Sequence, residues 1–103
     1  MNKPIPFAGY NEEAFGGMTP RGRIIRDAWV FELIPETETC AGWLPQGIES
    51  LTHKVNDEWD KYGCMVSSLP PELRERHDRI HGEAFKKARE LGWSGDIETT
   101  DDE

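Results

Sequence analysis

The apolar positions of this chain recur mostly at steps of three and four residues, the spacing that keeps side chains on one face of an α-helix. The longest such stripe is Leu73, His77, Ile80, Ala84, Ala88 and Leu91. It is opened by Leu69-Pro70-Pro71-Glu72, with prolines where a first turn tolerates them and an acid at the positive end of the helix dipole. Gly92 closes it, and Trp93 is placed to fold back over the last turn. Glu72 and Arg76, Glu75 and Arg79, and Glu83 and Lys87 stand four apart in the favourable order. The spacing predicts a helix over 70–91.

A second stripe, Ile48, Leu51, Val55, Trp59 and Tyr62, starts at Pro45 and is closed by Gly63, which predicts a helix over 45–62. Its other face carries Glu49, His53, Asp57 and Asp60, an ordinary solvated side. The third run is different. Thr19-Pro20 is a good helix start, because the hydroxyl can cap free amides and proline loses no hydrogen bond there. The following Arg-Ile-Ile-Arg-Asp-Ala-Trp-Val-Phe-Glu-Leu-Ile is apolar nearly all round. It reads either as a central helix covered from several sides or as a strand through Trp29, Phe31 and Leu33. Only Ile5–Phe7 and Cys64–Ser67 offer weak partner strands, so the helix, over 20–34 and ending before Pro35, is preferred. The fold class expected is therefore all-α, a compact bundle of three principal helices; the alternative is α+β, with 24–33 as a strand.

The remaining segments carry breakers. Residues 35–44 read as a loop from which Cys40, Trp43 and Leu44 return to the core. Residues 1–18 mix prolines and glycines with Ile5, Phe7, Tyr10 and Phe15, which predicts an irregular arm packed on the body; the sharper alternative is an exposed aromatic patch that a partner covers. The domain is thus 19–93, and 94–103 is expected to be a flexible acidic tail.

Charge narrows the function classes. The 103 residues carry a formal net charge of −8, which opposes attraction to nucleic-acid backbones and to anionic membranes. Five of those negatives, Asp96, Glu98, Asp101, Asp102 and Glu103, sit in the tail. Neither a membrane-length apolar run nor a leader-like start is visible, so the expected location is cytoplasmic. In that compartment Cys40 and Cys64 are expected to be free thiols acting as small buried hydrophobes.

Two constellations could carry chemistry. His77 and His81 stand four apart on one helical face, the spacing that presents two imidazoles to zinc, and Asp78 makes the stretch superficially similar to the HExxH metalloprotease signature. The shorter acid and the lack of a third ligand nearby in sequence depart from that signature. On the helical reading Glu32 falls among Ile25, Ala28 and Trp29, so a Glu32–His77 pair is expected in the core, either structural or completing a His77, His81, Glu32 metal site. The second constellation is Gly16-Gly17-Met18-Thr19-Pro20-Arg21-Gly22-Arg23 with Arg26 one turn on, where Arg21, Arg23 and Arg26 could receive an anion or an acidic partner. Its glycine spacing is not that of a P-loop, and the simpler expectation is that these arginines pair with the chain's own acids. Neither cysteine has a base beside it in sequence, and no serine lies in a glycine elbow.

These features favour a small protein-binding or regulatory module without catalytic activity or cofactor, engaging another protein or a second copy of itself. The alternatives are a zinc-dependent hydrolase or metal-binding protein built on His77 and His81, and an acidic inhibitor that imitates nucleic acid with carboxylates from residues 35–62.

Overall fold

The computed structural model describes residues 5–93. The chain is all-α: α1 (Ala14–Gly17), α2 (Pro20–Val30), α3 (Pro45–Asp60) and α4 (Pro71–Glu90), with single 3-10 turns at Tyr10–Glu12 and Val66–Ser68. There is no strand among the described residues, which sets aside the α+β alternative for residues 24–33. The tail expected over 94–103 lies outside the described residues.

α2 is the central helix, packed against both α3 and α4. That placement accounts for its nearly continuous apolar circumference, since a helix covered on several sides has little solvated face. Ile25, Ala28 and Val30 are fully buried. From α3 come Ile48, Leu51, Val55 and Trp59, the stripe its spacing predicts, and Phe31 meets the edge of Trp59 at 5.2 Å between ring centroids. α4 contributes Ile80, Ala84 and Ala88. Its last stripe residue, Leu91, is 52% exposed, beside Gly16 of the arm.

The helix ends follow capping chemistry. Thr19 Oγ1 accepts the Gly22 amide at 2.9 Å and donates to Glu13, so one hydroxyl joins the arm to the start of α2. α2 stops four residues short of the predicted boundary. Leu33 N–H bonds Ala28 O at 2.9 Å and Glu32 N–H bonds Trp29 O at 3.1 Å, a Schellman closure that puts Glu32 at φ 60 where glycine is usual. Arg76 of α4 donates to Val30 O at 2.8 Å, supplying a partner for a carbonyl the helix leaves open. α4 closes in the same way over Gly92, and Trp93 returns to stack on Phe85 at 5.8 Å.

The arm lies against the body. Phe7 is buried, and its N–H and C=O both bond the 40s loop, to Trp43 O and from Gly42 N at 2.8 Å each. Tyr10 meets the edge of Trp29 at 4.8 Å. In the loop, Cys40 is buried and Trp43 packs on the core, but Leu44 is 48% exposed at the N-terminal boundary of α3 rather than returned to the interior. Cys64 is likewise exposed, not the buried hydrophobe expected, because it follows the Gly63 closure of α3 out into solvent.

Two glycines hold the arm against α2. A methyl group on Gly17 would overlap the Tyr10 ring, and one on Gly22 would overlap the Gly17 carbonyl. Gly82, on the exposed side of α4, has nothing within 4 Å of that position. Gly22→Ala is therefore expected to cost about 1–3 kcal/mol through overpacking. Gly82→Ala should stabilise by roughly 0.5–1 kcal/mol through helix propensity. Urea titrations followed by circular dichroism separate the two, and equal midpoints would contradict the close approach.

Candidate functional site: a buried Arg26–His81–Asp27 chain at the floor of a cleft

Consecutive charged residues of α2 point inward. Arg26 and Asp27 are 4% and 2% exposed, and they are the two buried charged residues among those described. Burying an ion is costly unless its hydrogen-bonding capacity is filled, and here each group reaches a different part of the molecule. Arg26 Nη1 donates to Gly17 O at 2.6 Å and to Tyr10 Oη at 3.2 Å, both on the arm, while its Nε donates to His81 Nδ1 at 3.1 Å on α4. Asp27 Oδ1 lies 2.8 Å from His81 Nε2, and Asp27 Oδ2 accepts Trp59 Nε1 of α3 at 3.1 Å.

The donor and acceptor roles of His81 follow from its neighbours. A guanidinium has only donors, so Nδ1 must present a lone pair to Arg26. The ring proton then sits on Nε2 and is donated to the carboxylate, which can only accept. Position 27 in turn needs an acid, because an amide would offer one oxygen where two N–H groups converge. His77 lies against this pair, its ring 4.4 Å from that of His81 and edge-on to Trp59 at 6.0 Å. The cluster floors a cleft of about 370 Å³ whose walls include Arg23, Asn56, Trp59, Cys64 and Phe85.

One oxygen or nitrogen from each of Asp27, His77 and His81 falls within a common 4.8 Å, the spacing of a prospective two-histidine, one-carboxylate centre. The lone-pair count opposes an ion there. A metal on His81 Nε2 would send the ring proton to Nδ1, where it would face the Arg26 N–H, two donors with no acceptor between them. Relieving that clash means pulling a buried guanidinium off Gly17 O and Tyr10. The same count prevents His81 from serving as a general base, since the nitrogen turned away from the carboxylate is occupied by arginine.

The residues singled out in the sequence are distributed otherwise than expected. Glu32 does not meet His77: α2 ends before it, its side chain is 73% exposed, and its partner is Arg76 at 3.6 Å. Asp27 holds the position expected of Glu32, and it engages His81. His77 is not shut inside the core; it lines the cleft, with Asp78 at 3.4 Å from its Nδ1. The three arginines do not form one cluster: Arg21 lies over the Phe7 ring at 5.3 Å, whereas Arg23, largely in solvent 3.8 Å from Asp27, and the buried Arg26 both border the His77–His81 cleft. The glycines at 16, 17 and 22 serve close packing, and the Gly22 amide is capped by Thr19.

The other titratable groups are similarly committed. Burial, with the Glu38 carboxylate nearby, pushes the Cys40 thiol up to about 11, which makes it a poor nucleophile. Arg79 grips Glu36 through two bonds of 3.0 and 2.8 Å and holds its carboxyl below the usual range, while Glu38 accepts the Cys40 amide. Two of the carboxylates in 35–62 are thus turned to internal partners.

Burial, and next the adjacent His81 ring, lower the pKa of His77 below its ordinary 6.5, against smaller opposing effects of Asp78 and Asp27. Below pH 6.5 the unfolded chain then binds the His77 proton more readily than the folded one, so this contribution to stability is complete above that pH and is lost as pH falls through the folded value. Urea midpoints at pH 7.5 and 5.5 are expected to draw closer together in His77→Gln than in wild type; an unchanged pH dependence would contradict the burial of this ring. No protein-family model, curated protein or solved structure matches the chain, and the functional reading therefore rests on this geometry.

Proposed function

We propose that the chain is a small cytoplasmic protein-binding module without catalytic activity, and that its contact surface is the groove between the N-terminal arm and α4. The observation that carries this reading is a pair of large apolar side chains left in solvent beside that groove, Phe15 at 45% and Leu91 at 52% exposed. Trp29, Ile80 and Ala84 line the depression between them, which has a volume of about 580 Å³. Exposed apolar surface around a concave site is what a partner covers.

Phe15 adds a second support. It stands in the left-handed region, at φ 51 and ψ 43, with Gly16 and Gly17 also at positive φ. That conformation is unfavourable for an aromatic residue by about 1–2 kcal/mol. The fold carries this strain in a ring that it leaves half in water. The polar cluster supports the non-catalytic part of the proposal, because both nitrogens of His81 and both oxygens of Asp27 already have partners. Metal binding draws on the convergence of Asp27, His77 and His81, and the Arg26 N–H aimed at His81 weighs against it. A cytoplasmic location suits two unbonded cysteines, and no described helix is long and apolar enough to cross a membrane.

Photo-crosslinking tests the surface directly. With a benzophenone amino acid at position 15 or 91, irradiation of expressing cells is expected to give discrete higher-mass adducts, and none with the same residue at Lys54 on α3. Absence of adducts from both groove positions would remove the proposal.

A further inference from the structure

We infer that the occupant of the arm–α4 groove is a basic amphipathic segment of another protein, held by apolar anchors and flanked by Lys or Arg. The inference deepens the reading above and rests on it. The groove has an apolar lining in Trp29, Ile80, Ala84 and Leu91, and its charged residues are Glu13, Glu36 and Glu83 against the single Lys87. Glu36 is balanced by Arg79, whereas Glu83 approaches that arginine only to 4.0 Å and Glu13 bonds a neutral hydroxyl. Two carboxylates therefore keep capacity for a partner's cations. The Lys87 stem runs against Gly16, where a methyl group would stand 3.2 Å from its Cγ, and among the described residues its amine makes no ion pair with Glu13 or Glu83.

Charge also discriminates among occupants. The chain's own terminal residues, with Asp96, Glu98, Asp101, Asp102 and Glu103, have the wrong sign for an acidic groove, and two copies of a chain of net charge −8 repel each other. A volume of about 580 Å³ receives a few large side chains rather than a whole helix, which matches recognition through anchors on one helical face. Opposite charge at the margin then sets orientation and excludes acidic competitors.

The test uses the full chain and two fluorescein-labelled synthetic helical peptides with the same leucine anchors four residues apart, one flanked by lysines and the other by glutamates. In fluorescence anisotropy the lysine peptide is expected to bind saturably and the glutamate peptide not to bind. Glu83→Lys should weaken the lysine peptide by about tenfold or more, and Leu91→Asp should abolish saturation, both with melting curves like wild type. Asp57→Lys, the same charge change on the exposed side of α3, should alter affinity less than about twofold. The inference is overturned if the lysine peptide does not bind, if both peptides bind alike, if Asp57→Lys weakens binding as much as Glu83→Lys, or if Leu91→Asp has no effect. It is also overturned if sedimentation shows a dimer that Leu91→Asp dissolves, which would make a second copy the occupant. Crosslinks from position 15 that persist when the lysine peptide fails would refute the basic partner while leaving the groove as a contact surface.

Discussion

The arrangement of the chain depends on one buried ionic chain, in which Arg26 and Asp27 grip the two nitrogens of His81 from opposite sides. Through it α2 is joined to the arm by Gly17 and Tyr10, to α4 by His81, and to α3 by Trp59. Apolar burial supplies most of the driving force for such a domain but little directional information. A hydrogen-bonded chain among four segments does supply it, because a shift of α4 by one turn would take His81 from both Arg26 Nε and Asp27 Oδ1. Removing one partner from a buried charged pair commonly costs about 3–5 kcal/mol, so this cluster weighs heavily in a domain of this size.

Local chemistry made much of the fold legible in the sequence. The stripes of α3 and α4, the Thr19 cap, the prolines in the first turns and the glycine closures at 63 and 92 are short-range signals, and the helices form where they stand. The C-terminal boundary of α2 was not legible. Its closure uses Glu32 in a left-handed conformation, a position where composition points to glycine, and it is supported from a distance by Arg76. That boundary decided the site as well: a helix continued to residue 34 carries Glu32 into the core on paper, whereas a helix that ends at Val30 turns it out to solvent.

A signal for Asp27 was nonetheless present. At about 100° per residue, Arg26 and Asp27 fall about 40° and 60° to either side of Val30, with Trp29 beyond the first and Ile24 beyond the second, and Arg23 is the one other charged residue between them. In a helix apolar nearly all round, charged residues inside that circumference are candidates for burial, and their partners are to be sought on other helices. The pairing of His77 with His81 was visible from their spacing. The identity of the third partner was not, because it is set by how α2 and α4 cross.

Charge is thus handled differently in two places. Inside, Arg26, Asp27 and His81 are bonded to one another and to Gly17, Tyr10 and Trp59. On the arm side of α4, Phe15 and Leu91 stand half in solvent beside Glu83, and there a partner is proposed to bind. The tautomer of the His81 ring tests the internal chain most directly. Long-range nitrogen–proton NMR spectra of the ¹⁵N-histidine-labelled protein at neutral pH should show His81 protonated at Nε2 with an unprotonated Nδ1, and Arg26→Met should abolish that preference. A His81 ring protonated at Nδ1, or one averaging freely between both nitrogens in the wild-type protein, would contradict the Arg26–His81–Asp27 chain.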